Sequence, residues 1–288
     1  MVILVTGANG QLGQALQSIS GTYLGIDFVF CPSSALDITS LEHCQLVFST
    51  YRPSFCINAA AYTAVDKAES EPEKAHLINA VGAENLAKVC KENDTILIHI
   101  STDFIFDGTL NRPYLETDLP NPTGVYGLTK LQGEQAIQAN WEKHYIIRTS
   151  WVYSQYGTNF LKTMLRLAAE RDQLSVVSDQ IGTPTNAIDL AEALIKIVDY
   201  YNAELVSASN YGIYNFSNEG YCSWYDFANE IFLQKAISID LKPIPTLAYP
   251  TPAKRPAYSV LDKSKIKHTF NIAIKEWQTS LAECLNQL

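Results

Sequence analysis

The sequence predicts an α/β protein built on a doubly wound parallel sheet, and three observations support this fold class. A buried strand at Val2–Val5 leads directly into Gly7, Gly10 and Gly13, and an amphipathic helix then begins near Gln11. Further short apolar segments alternate with helical patterns along the first half of the chain, which is typical of βαβ units. With 288 residues and 47% hydrophobic composition, the chain can bury the large core that such a sheet requires.

The glycine-rich turn between the first strand and helix is a candidate phosphate-binding loop. A glycine at the turn accepts backbone angles that side chains disfavour, and a glycine at the closest approach lets main-chain N–H groups reach a pyrophosphate. The helix N-terminus adds unpaired donors and the positive end of its dipole. Short glycine patterns occur by chance, but the flanking strand and helix favour a Rossmann-type dinucleotide site over an ordinary turn.

Composition and charge argue against several classes of protein. A net charge of −9 opposes binding to nucleic acid, which usually requires a basic face. No apolar run approaches the roughly 20 residues of a membrane span, and no signal peptide pattern precedes the first strand, so we expect a cytoplasmic protein without membrane contact. The six cysteines are scattered singly, without a zinc-like pattern, and are expected to be reduced core thiols.

The second predicted strand, Ile26–Phe30, ends where dinucleotide-binding proteins select their cofactor. An acidic residue there binds the adenosine ribose, whereas an arginine favours the extra phosphate of NADPH. This chain has Cys31–Ser34 instead, which leaves NADH and NADPH both open. A helix follows, with Thr39 and Glu42 spaced as a capping box. Asp37, just before it, is interpreted equally as a loop carboxylate or as a residue at the adenine end of a dinucleotide.

Two more buried strands are predicted before the middle of the chain. Ser54–Asn58 is followed by small residues through Ala61, where a flat ligand can lie close. Ile96–Ile100 has the continuous apolar character of a central parallel strand. His99 within it is expected to be a satisfied core histidine, because strand alternation turns it away from Asp103.

The carboxyl end of that central strand is where a doubly wound sheet places its ligands, and Ser101–Gly108 begins there. A helix then opens at Pro122 and runs to about Ala139, with Tyr126 and Lys130 one turn apart on one face. An ammonium near a phenol lowers the phenol pKa from about 10 toward the working pH. Such a Tyr and Lys pair is common on helix surfaces, but in this context it makes Tyr126 a candidate proton donor.

The second half of the chain continues the alternation of strands and helices. Tyr145–Tyr153 is predicted to be a strand that runs into a loop, and Asn159–Ala168 a helix with an apolar core face. Further helices are expected to be capped near Thr185 or Asn186 and at Ser223. The remaining predictions are a strand at Gly212–Phe216 and a proline-rich basic segment without regular structure at Tyr249–Pro256.

The joint pattern of the first 150 residues resembles the extended short-chain dehydrogenase/reductase superfamily, in which Thr102, Tyr126 and Lys130 would be the catalytic set. Along essentially the whole chain the sequence resembles the dTDP-4-dehydrorhamnose reductase family. The distinguishing strings are AAYTAVDKAE at 60–69, STDFIFDG at 101–108, RTSWVY at 148–153, DQIGTPT at 179–185 and Arg255-Pro256.

This resemblance implies a Rossmann-type NAD(P)-binding domain over 1–150, to which segments near 172–200 and 212–218 return. The remainder, 151–288, would mainly form a smaller C-terminal α/β substrate-binding domain. The implied reaction is the reduction, by NADH or NADPH, of the C4 keto group of dTDP-4-dehydrorhamnose to dTDP-L-rhamnose, the last step in making that sugar donor. The protein would be a monomer or homodimer whose partner is the dTDP-sugar.

The resemblance also assigns roles to residues. Tyr126 would give the proton, Thr102 would hydrogen-bond the same oxygen, and Lys130 would tune Tyr126 and hold the nicotinamide ribose. The other implied residues are, for the cofactor, Gly7, Gly10, Gln11, Leu12, Gly13, Asp37, Ile38, Ala61, Tyr62 and Thr63, and, for the substrate, Asp103, Trp151 and Arg255.

Two of these substrate residues have plain structural interpretations as well. Trp151 can also be interpreted as a core tryptophan, and Arg255 as a surface arginine after a proline-rich loop. As a ligand, the guanidinium of Arg255 would bind diphosphate oxygens in pairs. Some relatives hold magnesium through a glutamate on the first helix, where this chain has Ala15, so no metal is expected.

Three other interpretations of the family pattern stay open. Sugar-nucleotide dehydratases place an Asp-Glu pair after the threonine, and Phe104 in the Glu position argues for simple reduction here. A sugar-nucleotide reductase or epimerase with another substrate is a weaker alternative, because epimerases lack the later strings. A non-catalytic regulatory subunit that binds the dinucleotide would be free to lose Tyr126 or Lys130, and both are present.

Overall fold

The computed structural model describes residues 1–202 and 210–288, and a parallel sheet lies at its centre. The strands are β1 (Val2–Thr6), β2 (Asp27–Cys31), β3 (Phe55–Asn58), β4 (Ile96–Thr102), β5 (His144–Thr149), β6 (Val152–Tyr153), β7 (Gln173–Val177), β8 (Ile181–Gly182), β9 (Thr185–Asn186), β10 (Gly212–Asn215), β11 (Cys222–Ser223) and β12 (Asp240–Ile244). Six of them form the central sheet in the order β10-β5-β4-β3-β1-β2, all parallel. The predicted doubly wound α/β fold is therefore confirmed.

Helices cover both faces of this sheet. They are α1 (Gln11–Ser20), α2 (Leu41–Tyr51), α3 (Val65–Ala68), α4 (Pro72–His76), α5 (Gly82–Glu92), α6 (Val125–Asn140), α7 (Phe160–Glu170), α8 (Ala187–Asn202), α9 (Trp224–Gln234), α10 (Ser264–Phe270) and α11 (Trp277–Leu285). A π-helical turn at Leu77–Val81 joins α4 to α5.

Strand alternation divides the buried side chains between two cores. Ile3 and Val5 of β1 point to the face covered by α1 and α8, whereas Leu4 points to the face covered by α2, α5 and α6. Both faces of a parallel sheet are buried, which explains the continuous apolar runs that predicted its strands.

A smaller unit follows the sheet and packs around its own core. This core includes Leu161 of α7, Phe227 and Ile231 of α9 and Trp277 of α11. Strand β7 pairs with β12 outside the central sheet, so the segment near 172–200 returns to that sheet only through α8, which packs against α1. Strand β10 does join the sheet, beside β5. The division at residue 150 itself stays a prediction.

The helix caps confirm two predictions and correct one. Ser223 and Asp226 form a reciprocal capping box at α9, and Asn186 Oδ1 accepts the Ile188 N–H at the start of α8. The prediction that Thr39 caps α2 is wrong by one residue, because the capping residue is Ser40. Thr39 is instead held by Asp37, whose carboxylate accepts both its N–H and its hydroxyl and closes a local turn.

Three further observations bear on the excluded classes. All six cysteines are buried, and none of them forms a disulfide bond. Within the described ranges, no cluster of His, Cys, Asp and Glu has a metal-binding arrangement. None of the helices in those ranges combines the length and apolar character that a membrane crossing requires.

Candidate active site

A cavity of about 620 Å³ opens at the carboxyl ends of β1, β3, β4 and β5. Open α/β sheets bind their ligands at this edge, beside the point where the strand order reverses. Eleven of the predicted site residues line this cavity, namely Gly10, Gln11, Leu12, Ala61, Thr63, Thr102, Asp103, Tyr126, Lys130, Trp151 and Arg255.

The glycine loop has the geometry that a dinucleotide requires. Gly7 adopts φ +65°, and a Cβ there would lie 2.6 Å from the Ala60 nitrogen. A Cβ on Gly13 would lie 2.5 Å from the Gly7 carbonyl oxygen, so this glycine lets α1 pack closely on the loop. Gly10 has more space and lines the cavity, where its main chain can approach a ligand. These three roles match those of a pyrophosphate-binding turn.

The side chain of Gln11 ties this loop to the segment that follows Trp151. Its amide nitrogen donates to the Val152 carbonyl at 3.2 Å, and its amide oxygen accepts from the Ser154 hydroxyl at 2.9 Å and from Asn159 Nδ2 at 2.8 Å. This contact, unforeseen in the sequence, joins residues more than 140 positions apart.

Thr102 and Tyr126 meet across the junction of β4 and α6. The Thr102 hydroxyl donates to Asp103 Oδ1 at 3.0 Å and accepts from the Phe104 N–H at 3.2 Å. A Cβ on Gly127 would lie 2.1 Å from the Phe104 carbonyl oxygen, so this glycine allows the first turn of α6 to reach the strand end. Burial raises the pKa of Tyr126 to about 12, although a hydrogen bond with Thr102 opposes the rise.

Lys130 does not lower the Tyr126 pKa in this arrangement, and that prediction is wrong. The amine of Lys130 points to β4, where it donates to the Ile100 carbonyl at 2.6 Å and lies 3.2 Å from His99 Nε2. Burial therefore dominates the pKa of the tyrosine. Burial also lowers the pKa of Lys130 to about 8, with the carboxylate of Glu134 opposing the shift.

His99 is a buried histidine with satisfied ring nitrogens, as predicted, and its ring contacts Lys130, which lines the cavity. Its Nδ1 lies 2.9 Å from Asn58 Nδ2 and its Nε2 faces Lys130. The expectation that strand alternation turns His99 away from Asp103 stays a prediction. The lysine reaches it from α6.

Asp103 lines the cavity and has a buried carboxyl group. The side chain is 1% exposed, and its Oδ2 has no hydrogen-bond partner among the described residues. Burial raises its pKa to about 6, against hydrogen bonds that favour the carboxylate. Because buried polar atoms are rarely left unpaired, this oxygen is suited to accept a hydrogen bond from a ligand hydroxyl.

Aromatic rings form the wall on the other side of the cavity. Trp151 adopts φ +47° and stacks on Trp224, with ring centroids 3.5 Å apart and planes within 11°. Phe160 also packs on Trp224, with ring centroids 4.7 Å apart. Sequence reasoning missed Trp224, because only the fold brings α9 beside the end of β5.

Arg255 lines the cavity but already has a carboxylate partner. Its two terminal nitrogens donate to Asp66 at 3.0 and 2.8 Å, and the bond lowers the pKa of Asp66. The segment that carries Arg255 is irregular, as its prolines predict. Asp66 was also missed, since it lies 189 residues from its partner.

Five predicted cofactor residues lie outside the cavity lining, and two of them, Gly7 and Gly13, belong to the glycine loop itself. Asp37 is exposed and bonded to Thr39, while Ile38 is buried against Gly82. The hydroxyl of Tyr62 donates to Glu71 at 2.9 Å. The roles of Asp37, Ile38 and Tyr62 toward a cofactor stay predictions.

The doubly wound sheet has a glycine loop at its switch point, Thr102 at the end of β4, and Tyr126 and Lys130 on the adjoining helix α6. These features define a dinucleotide-binding protein of the short-chain dehydrogenase/reductase type. The family is narrower than this class. Residues 1–288 match the family described as RmlD substrate binding domain, and the chain belongs to that family.

Several proteins are similar to this chain along nearly their full length. The dTDP-4-dehydrorhamnose reductase of Aggregatibacter actinomycetemcomitans is 42% identical over 97% of this chain and 96% of that protein. The crystal structure of a dTDP-4-dehydrorhamnose reductase from Clostridium acetobutylicum has a TM-score of 0.93 at 41% identity, and covers 100% of this chain and 99% of that one. The Bacillus anthracis dTDP-4-dehydrorhamnose reductase, solved in complex with NADP, has a TM-score of 0.93 at 37% identity with the same coverage.

Proposed function

We propose that this chain is an NAD(P)H-dependent reductase that converts dTDP-4-dehydrorhamnose to dTDP-L-rhamnose. The observation that carries the proposal is the cavity in which a glycine loop, Thr102, Tyr126 and Lys130 lie beside Asp103, whose Oδ2 has no hydrogen-bond partner among the described residues. The names of full-length relatives supply the identity of the sugar nucleotide. The reaction takes place in the cytoplasm, in a monomer or homodimer.

The chain's own residues perform the proton chemistry. When bound, the reduced nicotinamide supplies a hydride to the C4 carbon. Tyr126, whose pKa of about 12 keeps it protonated at neutral pH, donates its proton to the C4 oxygen as negative charge develops there. Thr102 hydrogen-bonds the same oxygen, and such a bond lowers the barrier because it strengthens in the transition state.

The remaining residues hold the two ligands. Lys130 holds the nicotinamide ribose, and the main chain at Gly10 holds the pyrophosphate. Asp103 Oδ2 accepts from a sugar hydroxyl, Trp151 packs on the sugar nucleotide, and Arg255 binds its diphosphate with the guanidinium set in place by Asp66.

A spectrophotometric assay tests this function. Purified protein is mixed with NADPH or NADH and dTDP-4-dehydrorhamnose, and the absorbance of the reduced nicotinamide is followed while the product is identified as dTDP-L-rhamnose. We expect the absorbance to fall. Cofactor binding without turnover would instead identify a regulatory subunit, and turnover only with another keto sugar would correct the substrate.

A further inference from the structure

Three buried side chains connect the end of β3 to the amine of Lys130. Asn58 ends β3, His99 lies in β4 and Lys130 lies in α6, and none is more than 2% exposed. Asn58 Nδ2 is 2.9 Å from His99 Nδ1, and His99 Nε2 is 3.2 Å from Lys130 Nζ. The proposed reaction uses Lys130, but Asn58 and His99 have no role in it.

The direction of hydrogen bonding in this chain of side chains is set at Asn58. Its Oδ1 accepts the Thr6 hydroxyl at 2.7 Å and lies 3.2 Å from the Ala60 nitrogen, whose N–H is shared with the Thr6 hydroxyl oxygen, also at 3.2 Å. A main-chain N–H only donates, so the amide atom facing it must be the oxygen, and the amide nitrogen must face His99. That nitrogen also only donates. His99 Nδ1 is therefore an acceptor and carries no proton.

The proton of His99 must then lie on Nε2. Burial holds the pKa of His99 well below its usual range, so the ring is neutral and its one proton points at Lys130. An ammonium has three donors and no acceptor, and cannot receive that proton in a hydrogen bond. A neutral amine can accept it, while one of its own N–H groups donates to the Ile100 carbonyl at 2.6 Å.

We propose that Asn58 and His99 are positioning residues that favour the neutral amine of Lys130 until the dinucleotide binds, so that cofactor binding at alkaline pH takes up one proton. The proposal rests on the proposed function, because that function places the nicotinamide ribose at Lys130. The proton comes from the buffer and converts the amine to an ammonium, which donates to the ribose hydroxyls. No other bond forms or breaks.

Other titratable groups face Lys130 from the elements around it. Glu134, one turn further along α6, is paired with Arg148 of β5 at 2.7 Å, and Tyr126 lies one turn before. Asp103 follows β4, and burial raises its pKa to about 6. Proton uptake by Asp103 would be largest near pH 6 and absent at pH 9, whereas uptake by Lys130 grows toward pH 9.

Isothermal titration calorimetry of cofactor binding, repeated in buffers with different ionisation enthalpies, measures this uptake. NADH is the probe, since the 2′-phosphate of NADPH titrates near pH 6. We expect about one proton per NADH at pH 9 and close to none at pH 6.5. NADH binding without proton uptake at pH 9 would overturn this inference but not the proposed function. A failure of both NADH and NADPH to bind would contradict the proposed function.

Variants test whether these two residues cause the uptake. Asn58→Asp keeps the shape of the side chain but lets it accept from His99 Nδ1, so that Nε2 can accept from an ammonium. The uptake at pH 9 should fall to near zero while NADH still binds. His99→Gln serves the same purpose if the buried carboxylate prevents folding, because its amide oxygen can face an ammonium.

His144→Gln is the matched control for this experiment. His144 is also buried, but its Nδ1 bonds the Trp141 carbonyl at 2.5 Å, at the opposite end of β5 from the cavity. Its replacement should leave the uptake unchanged. Full uptake in a folded Asn58→Asp or His99→Gln protein would overturn the roles of Asn58 and His99.

Discussion

The two ends of the cavity are built in different ways. The cofactor end consists of main chain from one short stretch, in which Gly7 and Gly13 have no room for a side chain. The sugar end is assembled from side chains that are distant in sequence, including Trp151 on Trp224 and Arg255 on Asp66. A site built from one stretch of main chain can be recognised from a local sequence pattern, whereas a wall assembled from distant side chains cannot. The following substitutions test this contrast.

Tyr126→Phe should have the largest effect, because this residue lies where the two ends meet. We expect kcat to fall by about 10²–10⁴-fold, the usual contribution of a general acid, while the cofactor Kd stays the same. Steady-state kinetics and fluorescence titration with NADPH measure the two quantities. Tyr51→Phe is the control, since Tyr51 is an exposed residue at the end of α2 and does not line the cavity. Turnover within tenfold of the unaltered protein would remove Tyr126 from its role.

Gly13→Ala should damage the cofactor end specifically. The added methyl would lie 2.5 Å from the Gly7 carbonyl, so the loop has to move, at a cost of roughly 1–3 kcal/mol in stability. We expect a lower Tm and weaker NADPH binding. Gly21→Ala, just after the same helix, meets no atom within 4 Å and should change neither. Equal effects of the two substitutions would show that the close packing at Gly13 is unimportant.

Arg255→Lys should affect the sugar end alone. Lysine keeps the charge but cannot form paired hydrogen bonds with the diphosphate, and the loss of one such bond corresponds to about a tenfold rise in KM for the sugar nucleotide. The cofactor Kd should not change. Arg112→Lys, in a surface pair with Asp118, is the control. A rise in the cofactor Kd that matches the rise in KM would place Arg255 at the wrong ligand.

The sequence predicted the cofactor end and the Tyr126 and Lys130 pair because each lies within a single βα unit. It could not predict where the Lys130 amine points, since that depends on Ile100 and His99 from another element. The capping error has a local cause. The Thr39 hydroxyl is bound by the Asp37 carboxylate, so Ser40 caps the helix instead. Thr39 and Ser40 are adjacent and both favour the cap position, so residue spacing alone cannot decide between them.

Gln11→Met should have the smallest effect, and it tests whether the two ends are independent. Gln11 lies on the glycine loop, yet its side chain holds Val152, Ser154 and Asn159 at the sugar end. Methionine keeps the length and loses all three bonds, so we expect KM for the sugar nucleotide to rise by about threefold to tenfold, as partly exposed hydrogen bonds of about 1 kcal/mol imply.

Gln14→Met is the matched control, because Gln14 lies on the same helix and its amide bonds only the loop carbonyl of Asn9. It should leave KM for the sugar nucleotide unchanged. If Gln11→Met weakens NADPH binding and leaves KM for the sugar nucleotide unchanged, the Gln11 side chain serves the cofactor end alone. If Gln11→Met raises KM for the sugar nucleotide while the NADPH Kd is constant, the cofactor loop supports the sugar end through one side chain. The two ends are then joined at Gln11, which lies within the glycine pattern itself.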